Sequence, residues 1–99
     1  MVKLNDLDGF DWDESNRETN WTAHQVSMGA CEEVFFNLPL LLLSDPAHSQ
    51  TEARNYVLGQ TNAGRRLCIA FTVRKDKIRV ISARDMSKKE RAVYGKENP

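Results

Sequence analysis

The sequence predicts a single α+β domain spanning residues 1–99, with a mostly antiparallel sheet and helices packed on one face. Three observations predict this class. Strand-like segments succeed one another in the second half of the chain, their connections are short, and helical patterns lie on either side of them. The expected order is β-α-α-β-β-β-β-α, without a repeat or a linker. The ends, at 1–6 and 96–99, are expected to fray.

The clearest core pattern lies in Arg65–Asp85, which predicts two strands joined by a tight turn. In the first strand, apolar residues alternate with others at the period of two that is typical of a pleated strand. The turn at 74–77 contains no apolar residue and should lie in water. The return strand, Ile78–Arg84, is apolar on both faces at its centre, which predicts an interior position in the sheet.

The segment before this hairpin predicts one strand and two helices. Leu7–Trp12 has a strand pattern, and Glu14–Ala23 follows a residue that can cap a helix. A second helix should begin after Ser27, because apolar residues then recur at three- and four-residue spacing. The residues of this core-facing stripe are Met28, Cys31, Val34 and Phe35.

Two further strands and a last helix complete the predicted order. Leu38–Leu43 and Arg54–Gln60 have strand patterns on either side of a polar loop. Ser87 and Glu90 have the spacing of a capping box, in which each side chain bonds the other residue's backbone amide. The helix that follows is expected to run to about Tyr94, because a glycine comes next.

Charge is unevenly distributed along the chain, although the net charge is zero. Residues 1–52 contain ten acidic and two basic residues, whereas residues 53–99 contain twelve basic and four acidic ones. Such asymmetry is typical of proteins that contact nucleic acid. The alternative is that the acidic half folds onto the basic half and the two fields cancel.

Several classes of protein are disfavoured. The longest apolar run, at 38–43, is far too short to span a membrane, and the N-terminus lacks a signal-peptide pattern, so a cytoplasmic location is expected. Cys31 and Cys68 lie in apolar segments without the spacing of metal ligands, which predicts buried thiols and no disulfide. There is no glycine-rich phosphate loop and no nucleophile elbow. We therefore expect neither a metal nor a cofactor.

The remaining candidates suit a ribonuclease that works without a metal. Because the RNA 2′-hydroxyl attacks its own 3′-phosphate, the protein supplies only proton transfer and fixed cations. His24 has a pKa suited to proton transfer, and Arg79 and Arg84 carry planar forks that match phosphate oxygens. Tyr94 lies four residues after Glu90, on the same helix face, and offers a phenol.

Each candidate also has a structural interpretation. His24 can cap a helix end, both arginines can reach solvent or pair with acidic residues upstream, and Tyr94 can simply pack. For Glu90, the cap with Ser87 explains the residue more readily than a ligand does. The basic residues around it form either a solvated helix face or a patch for a nucleic-acid backbone, and they are Lys88, Lys89 and Arg91.

Motifs spread over Leu7–Tyr94 carry a family resemblance. They are Phe10-Asp11-Trp12-Asp13-Glu14, Asn20, His24-Gln25-Val26-Ser27, Glu32-Glu33-Val34-Phe35, Asp45-Pro46, Glu52-x-Arg54, Gly59, and Arg79-Val-Ile-Ser-Ala-Arg84 followed by Glu90 and Tyr94. Together they resemble the BrnT toxin family. The chain departs from the family's usual Lys-His-Gly at Ala23-His24-Gln25, where one cation beside the histidine is absent.

The resemblance implies a RelE-like fold with a curved antiparallel sheet, and metal-independent cleavage of RNA that inhibits translation. It implies a BrnA-like ribbon-helix-helix antitoxin as partner, with operator DNA bound only through that antitoxin. It assigns the active site to His24, Arg79, Arg84 and Tyr94. The residues expected to contact RNA are Arg54, Arg65, Arg66, Lys88 and Lys89.

Two other functions remain open at this point. One is a non-catalytic module that binds an antitoxin or RNA on the same fold. The other is a small domain that self-associates through its separated charges. The sequence leaves the roles of Glu52 and Glu90 undetermined.

Overall fold

The computed structural model describes residues 9–12, 25–44 and 54–97. Its elements, in chain order, are α1 (Met28–Phe36), β1 (Leu41–Ser44), β2 (Asn55–Gln60), β3 (Arg66–Arg74), β4 (Lys77–Asp85) and α2 (Lys88–Glu97). The four strands form one antiparallel sheet in the order β1-β2-β3-β4, which confirms the α+β class. The predicted helix at 14–23 lies outside the described residues, as do 1–6 and 98–99. Among the described helices, none is long and apolar enough to cross a membrane.

The predicted hairpin is confirmed as β3 and β4. Its two turn residues, Lys75 and Asp76, have φ angles of 51° and 64°, the left-handed conformation of both central residues in a type I′ turn. This turn matches the right-handed twist of the strands it joins. The register between the strands shifts by a bulge at Ala70/Phe71, so β4 carries one extra residue there.

The position of β4 differs from the prediction, because β4 is the outermost of the four strands rather than an interior one. Residues 9–11 lie beside it. Phe10 forms a single parallel bridge with Ile78, where the Asp11 N–H donates to the Ile78 carbonyl and the Ile78 N–H donates to the Gly9 carbonyl, both at 2.8 Å. The buried apolar residues of β4, which are Ile78, Val80 and Ala83, all belong to the main core, so only one face of this strand is covered by it.

The main core lies between α1 and one face of the sheet. Ser27 caps the helix by accepting a bond from the Ala30 N–H at 3.1 Å, as predicted. Cys31 and Val34 are fully buried, and Phe35 contacts the Phe71 ring edge-on at 5.3 Å between centroids. The buried strand residues of this core are Val57, Leu67, Ile69, Phe71, Ile78, Val80 and Ala83.

The close approach of α1 to β2 depends on Gly59. A Cβ atom there would lie only 2.7 Å from the Val34 Cγ1 atom and 3.2 Å from the Leu40 Cδ1 atom. No side chain fits at that distance, so the helix packs directly on the strand backbone.

The second helix covers the opposite face of the sheet, and the prediction of helices on one face is wrong. Strand side chains alternate, so Leu67 and Ile69 enter the main core while Cys68 projects to the other side. There Cys68 packs with Tyr94 of α2 in a second cluster that includes Leu58 and Met86. Both faces of the sheet present apolar residues, and each requires its own helix.

The end of α2 also differs from the prediction. The helix continues past Tyr94 and through Gly95 to Glu97. Positive φ angles among the described glycines occur only at Gly9 and Gly64, so Gly95 does not adopt the left-handed conformation that ends a helix.

Both cysteines are buried and neither forms a disulfide, as predicted. Burial raises the pKa of the Cys31 thiol to about 12 and that of the Cys68 thiol to about 11. Both therefore stay protonated near neutral pH and are poor nucleophiles.

Candidate functional site

One arginine on the α2 side of the sheet is held in a fixed orientation. Arg84 of β4 donates from Nη1 to Glu90 Oε1 at 2.7 Å and from Nη2 to Glu90 Oε2 at 2.9 Å. Its Nη1 also donates to the Asp85 carbonyl at 3.1 Å. These bonds occupy the end of the guanidinium, and within the described residues its Nε–H and one Nη2–H have no acceptor. The side chain is 41% exposed, so two adjacent donors remain available to a phosphate.

Glu90 makes the capping box and holds Arg84 at the same time. Its Oε1 accepts from the Ser87 N–H at 2.8 Å, and its own N–H donates to the Ser87 hydroxyl at 3.2 Å, as predicted. The Arg84 hydrogen bonds are the main reason that the pKa of Glu90 falls from 4.5 to about 2. The carboxylate therefore stays charged at neutral pH and keeps the guanidinium oriented.

The stabilisation that Glu90 provides is expected to disappear in acid. Because folding lowers its pKa, the contribution is present above pH 4.5 and is lost as the pH falls toward 2. The difference in unfolding free energy between the natural chain and Glu90→Gln should be largest near neutral pH and shrink across that window. Urea unfolding at a series of pH values measures it. The control is Ser87→Ala, which removes a capping bond but no titratable group, so its effect on the unfolding free energy should not change with pH. A Glu90→Gln effect that is likewise constant across this pH range would contradict the prediction.

Tyr94 is fully buried in the cluster that contains Cys68, the cross-strand partner of Arg84. Its hydroxyl donates to the Pro39 carbonyl at 2.7 Å, and the Arg66 guanidinium lies over its ring at 5.6 Å from the centroid. Burial raises the pKa of Tyr94, and the nearby Arg66 charge opposes that rise. The buried and hydrogen-bonded phenol favours the interpretation that Tyr94 packs. Its ring also supports the Arg66 guanidinium.

The other predicted arginines contact carboxylates. Arg79 Nη1 lies 3.5 Å from the Asp11 carboxylate, as in the interpretation that pairs it with an upstream acid. Arg65 donates to both oxygens of Asp85, at 2.8 and 3.1 Å, and to the Gln25 carbonyl at 2.9 Å. Ion pairing thus holds each of these side chains against the protein surface.

Strand pairing places the two candidate active-site arginines on one face. Arg84 is paired with Cys68 and Arg79 with Thr72, and both partners project away from the main core. Arg66 lies two residues before Cys68 on β3 and therefore projects from the same face.

The remaining predicted residues are more scattered. Lys88 and Lys89 are exposed in the first turn of α2, next to Glu90, whereas Arg54 is half-buried just before β2. His24 and Glu52 lie outside the described residues.

The sequence analysis did not assign three exposed cations at the turn of the hairpin, namely Arg74, Lys75 and Lys77. With Asp11 they line a cavity of about 370 Å³. The period of two that relates Arg79 to Lys77 could have found them, since both lie on the face opposite the main core. In ranges 9–12, 25–44 and 54–97, no three His, Cys, Asp or Glu side chains cluster as metal ligands.

A comparison with protein families identifies one match. The family model for the ribonuclease toxin BrnT of type II toxin–antitoxin systems matches residues 12–90. The matched range contains the whole sheet together with Arg84 and Glu90, and Tyr94 lies beyond its end. No curated protein sequence matches the chain significantly.

Proposed function

Since this chain belongs to the BrnT family of ribonuclease toxins from type II toxin–antitoxin systems, we propose that it is a metal-independent endoribonuclease that cleaves RNA and thereby inhibits translation. A BrnA-like ribbon-helix-helix antitoxin would neutralise it and would carry the complex to operator DNA. The fold would be RelE-like and would comprise residues 1–99 as one domain. The observation that carries the proposal is the half-exposed Arg84 guanidinium, oriented by Glu90 with two donors left over.

The proposed reaction takes its nucleophile from the RNA. The 2′-oxygen loses its proton and bonds to the adjacent phosphorus, the bond from phosphorus to the 5′-oxygen breaks, and that oxygen takes up a proton. The products are a 2′,3′-cyclic phosphate and a 5′-hydroxyl. His24 is the proposed proton-transfer residue, because its ordinary pKa lies close to the working pH.

In this proposal Arg84 stabilises the charge that develops on the phosphate oxygens. Its free Nε–H and Nη2–H lie on one edge of a planar group, which matches two oxygens of a phosphate. Glu90 is a positioning residue, since it fixes the guanidinium in advance and so reduces reorganisation during the reaction. Arg79, on the same face, is the second proposed phosphate ligand, and Tyr94 supports the site through Arg66.

The alternative function is a non-catalytic module that binds an antitoxin or RNA. The ion pairs favour it, because Arg65, Arg79 and Arg84 each contact a carboxylate within the chain. An arginine that is paired with a carboxylate stabilises the charge of a transition state less well. The same pairing interferes less with binding of a partner.

Incubation of the purified full-length chain with total RNA in EDTA tests the proposal. We expect cleavage that persists in the chelator and is lost in His24→Ala and in Arg84→Ala, with Lys96→Ala as an exposed control that still cleaves. Folding of each variant is checked by thermal unfolding. An intact RNA pool in the presence of folded natural chain would overturn the ribonuclease proposal and leave the binding module.

A further inference from the structure

The basic face of the hairpin extends well beyond Arg84. We call Arg74, Lys75 and Lys77 the hairpin tip. All three side chains are exposed, and Arg74 pairs directly with Lys77 across the end of the hairpin. Together with Asp11 they are the described residues that line a cavity of about 370 Å³, and the exposed Asp76 lies between Lys75 and Lys77 in the turn.

The hairpin tip lies on the same face as Arg84. Val73 and Ile78 pack into the main core, so their neighbours Arg74 and Lys77 project to the opposite side. Arg79 follows by the same alternation, two residues further along β4. The cations of β4 on this face are therefore Lys77, Arg79 and Arg84, with the uncharged Ser82 between the last two.

The turn keeps a lysine where a smaller residue would be less strained. Lys75 has a φ angle of 51°, in a position of the type I′ turn where glycine, asparagine and aspartate are preferred. A residue with a side chain is less stable in this conformation than glycine is. The sequence thus places a cation, rather than a residue suited to the turn, at the exposed end of the hairpin.

We propose that the hairpin tip binds the phosphate backbone of an RNA strand whose scissile phosphate lies at Arg84, an inference that rests on the proposed function. Lys77 and Arg84 are seven positions apart on β4, and the bulge takes up one of these. Their cross-strand partners, Arg74 and Cys68, are six residues apart, which corresponds to about 20 Å at 3.3 Å per strand residue. At the ~3.4 Å rise of a stacked strand this distance spans roughly six nucleotides, and fewer when the strand is extended. A shorter RNA bound at Arg84 does not reach the hairpin tip.

The chemistry of the hairpin tip favours a polyanion over a protein partner. A stable protein interface has an apolar centre that excludes water. The large apolar side chains that are exposed in the described residues are Phe36, Leu38, Leu43 and Val93, and none belongs to β3 or β4. A hairpin end with three exposed cations, and no exposed large apolar side chain on its own strands, is typical of contacts to a nucleic-acid backbone.

The test measures binding of 2′-O-methyl RNA, which lacks the attacking hydroxyl and is not cleaved, over a series of salt concentrations. Lys75→Gln/Lys77→Gln removes two charges from the hairpin tip. The control, Lys96→Gln, removes one exposed charge from α2, outside every residue expected to contact RNA. For an RNA longer than about six nucleotides, the plot of log affinity against log salt should become shallower by about 1.4 in the tip variant, at about 0.7 per lost phosphate contact. The control should leave the slope unchanged, and neither variant should affect a trinucleotide.

An equal change of slope per removed charge in the tip variant and in Lys96→Gln would overturn the inference, because it would show diffuse attraction only. Unchanged RNA binding with weakened antitoxin binding would also overturn it and would assign the hairpin tip to the protein partner. If the natural chain cleaves RNA and the tip variant binds RNA with an unchanged salt dependence, this inference alone would be overturned. Tip-dependent binding by a natural chain that cleaves nothing would support the inference and overturn the ribonuclease proposal.

Discussion

Replacing Arg84 with alanine should lower kcat/KM for RNA cleavage by about 10²–10³-fold, the usual cost of losing one preorganised donor to a developing oxyanion. The reason is geometric as well as electrostatic, since Glu90 holds the half-exposed guanidinium and leaves its Nε–H and one Nη2–H without an acceptor in the described residues. Arg84→Lys keeps the charge and loses the fork, so its activity should recover only in part. Initial rates on a defined RNA measure both variants.

The control for this result is Arg91→Ala, which removes an exposed arginine next to Glu90 and should change the rate by less than a few-fold. Because Arg84→Ala also leaves Glu90 without its main partner, the fraction of folded protein must be measured by urea unfolding alongside the rate. Near-natural cleavage by folded Arg84→Ala would remove this residue from the mechanism.

Truncating Tyr94 should have the largest effect on stability. The side chain is fully buried between the sheet and α2, and loss of a buried aromatic ring costs about 3–5 kcal/mol. Tyr94→Phe keeps the ring but leaves the Pro39 carbonyl without its hydrogen bond, at a cost of about 1–3 kcal/mol. Urea unfolding measures both values, and we expect the folded fraction of Tyr94→Phe to cleave RNA within a few-fold of the natural rate.

This experiment separates support from catalysis. Tyr56→Phe is a matched control on β2, because the Tyr56 hydroxyl donates to no acceptor in the described part of the chain, and its stability should change less. A loss of about 10²-fold or more in the folded fraction of Tyr94→Phe, the size typical of proton transfer, would instead show that the phenol takes part in the reaction.

Local patterns along the chain predicted much of this molecule. The hairpin at Arg65–Asp85, the Ser27 cap with its apolar stripe, and the reciprocal bonds of Ser87 and Glu90 all appear in the structure. Each depends on residues only a few positions apart, whose spacing alone determines which face they share or which amide they reach. The motifs that carry the family resemblance are also sequence-local, and the family match confirms that resemblance.

Only the tertiary structure decided how these elements combine into a site. Sequence periodicity shows that α2 has a buried side, but not which face of the sheet that side covers, because both faces present apolar residues. The partners of Arg84, Tyr94 and Arg79 likewise depend on which strands and helices meet. The Tyr94 hydroxyl donates to the Pro39 carbonyl, 55 residues away in the chain, and a contact over that distance cannot be predicted from local spacing. The sequence by itself therefore determined the elements and the family, whereas packing of α2 on the face opposite α1 determined that Glu90 orients Arg84 and that Tyr94 lies beneath Arg66.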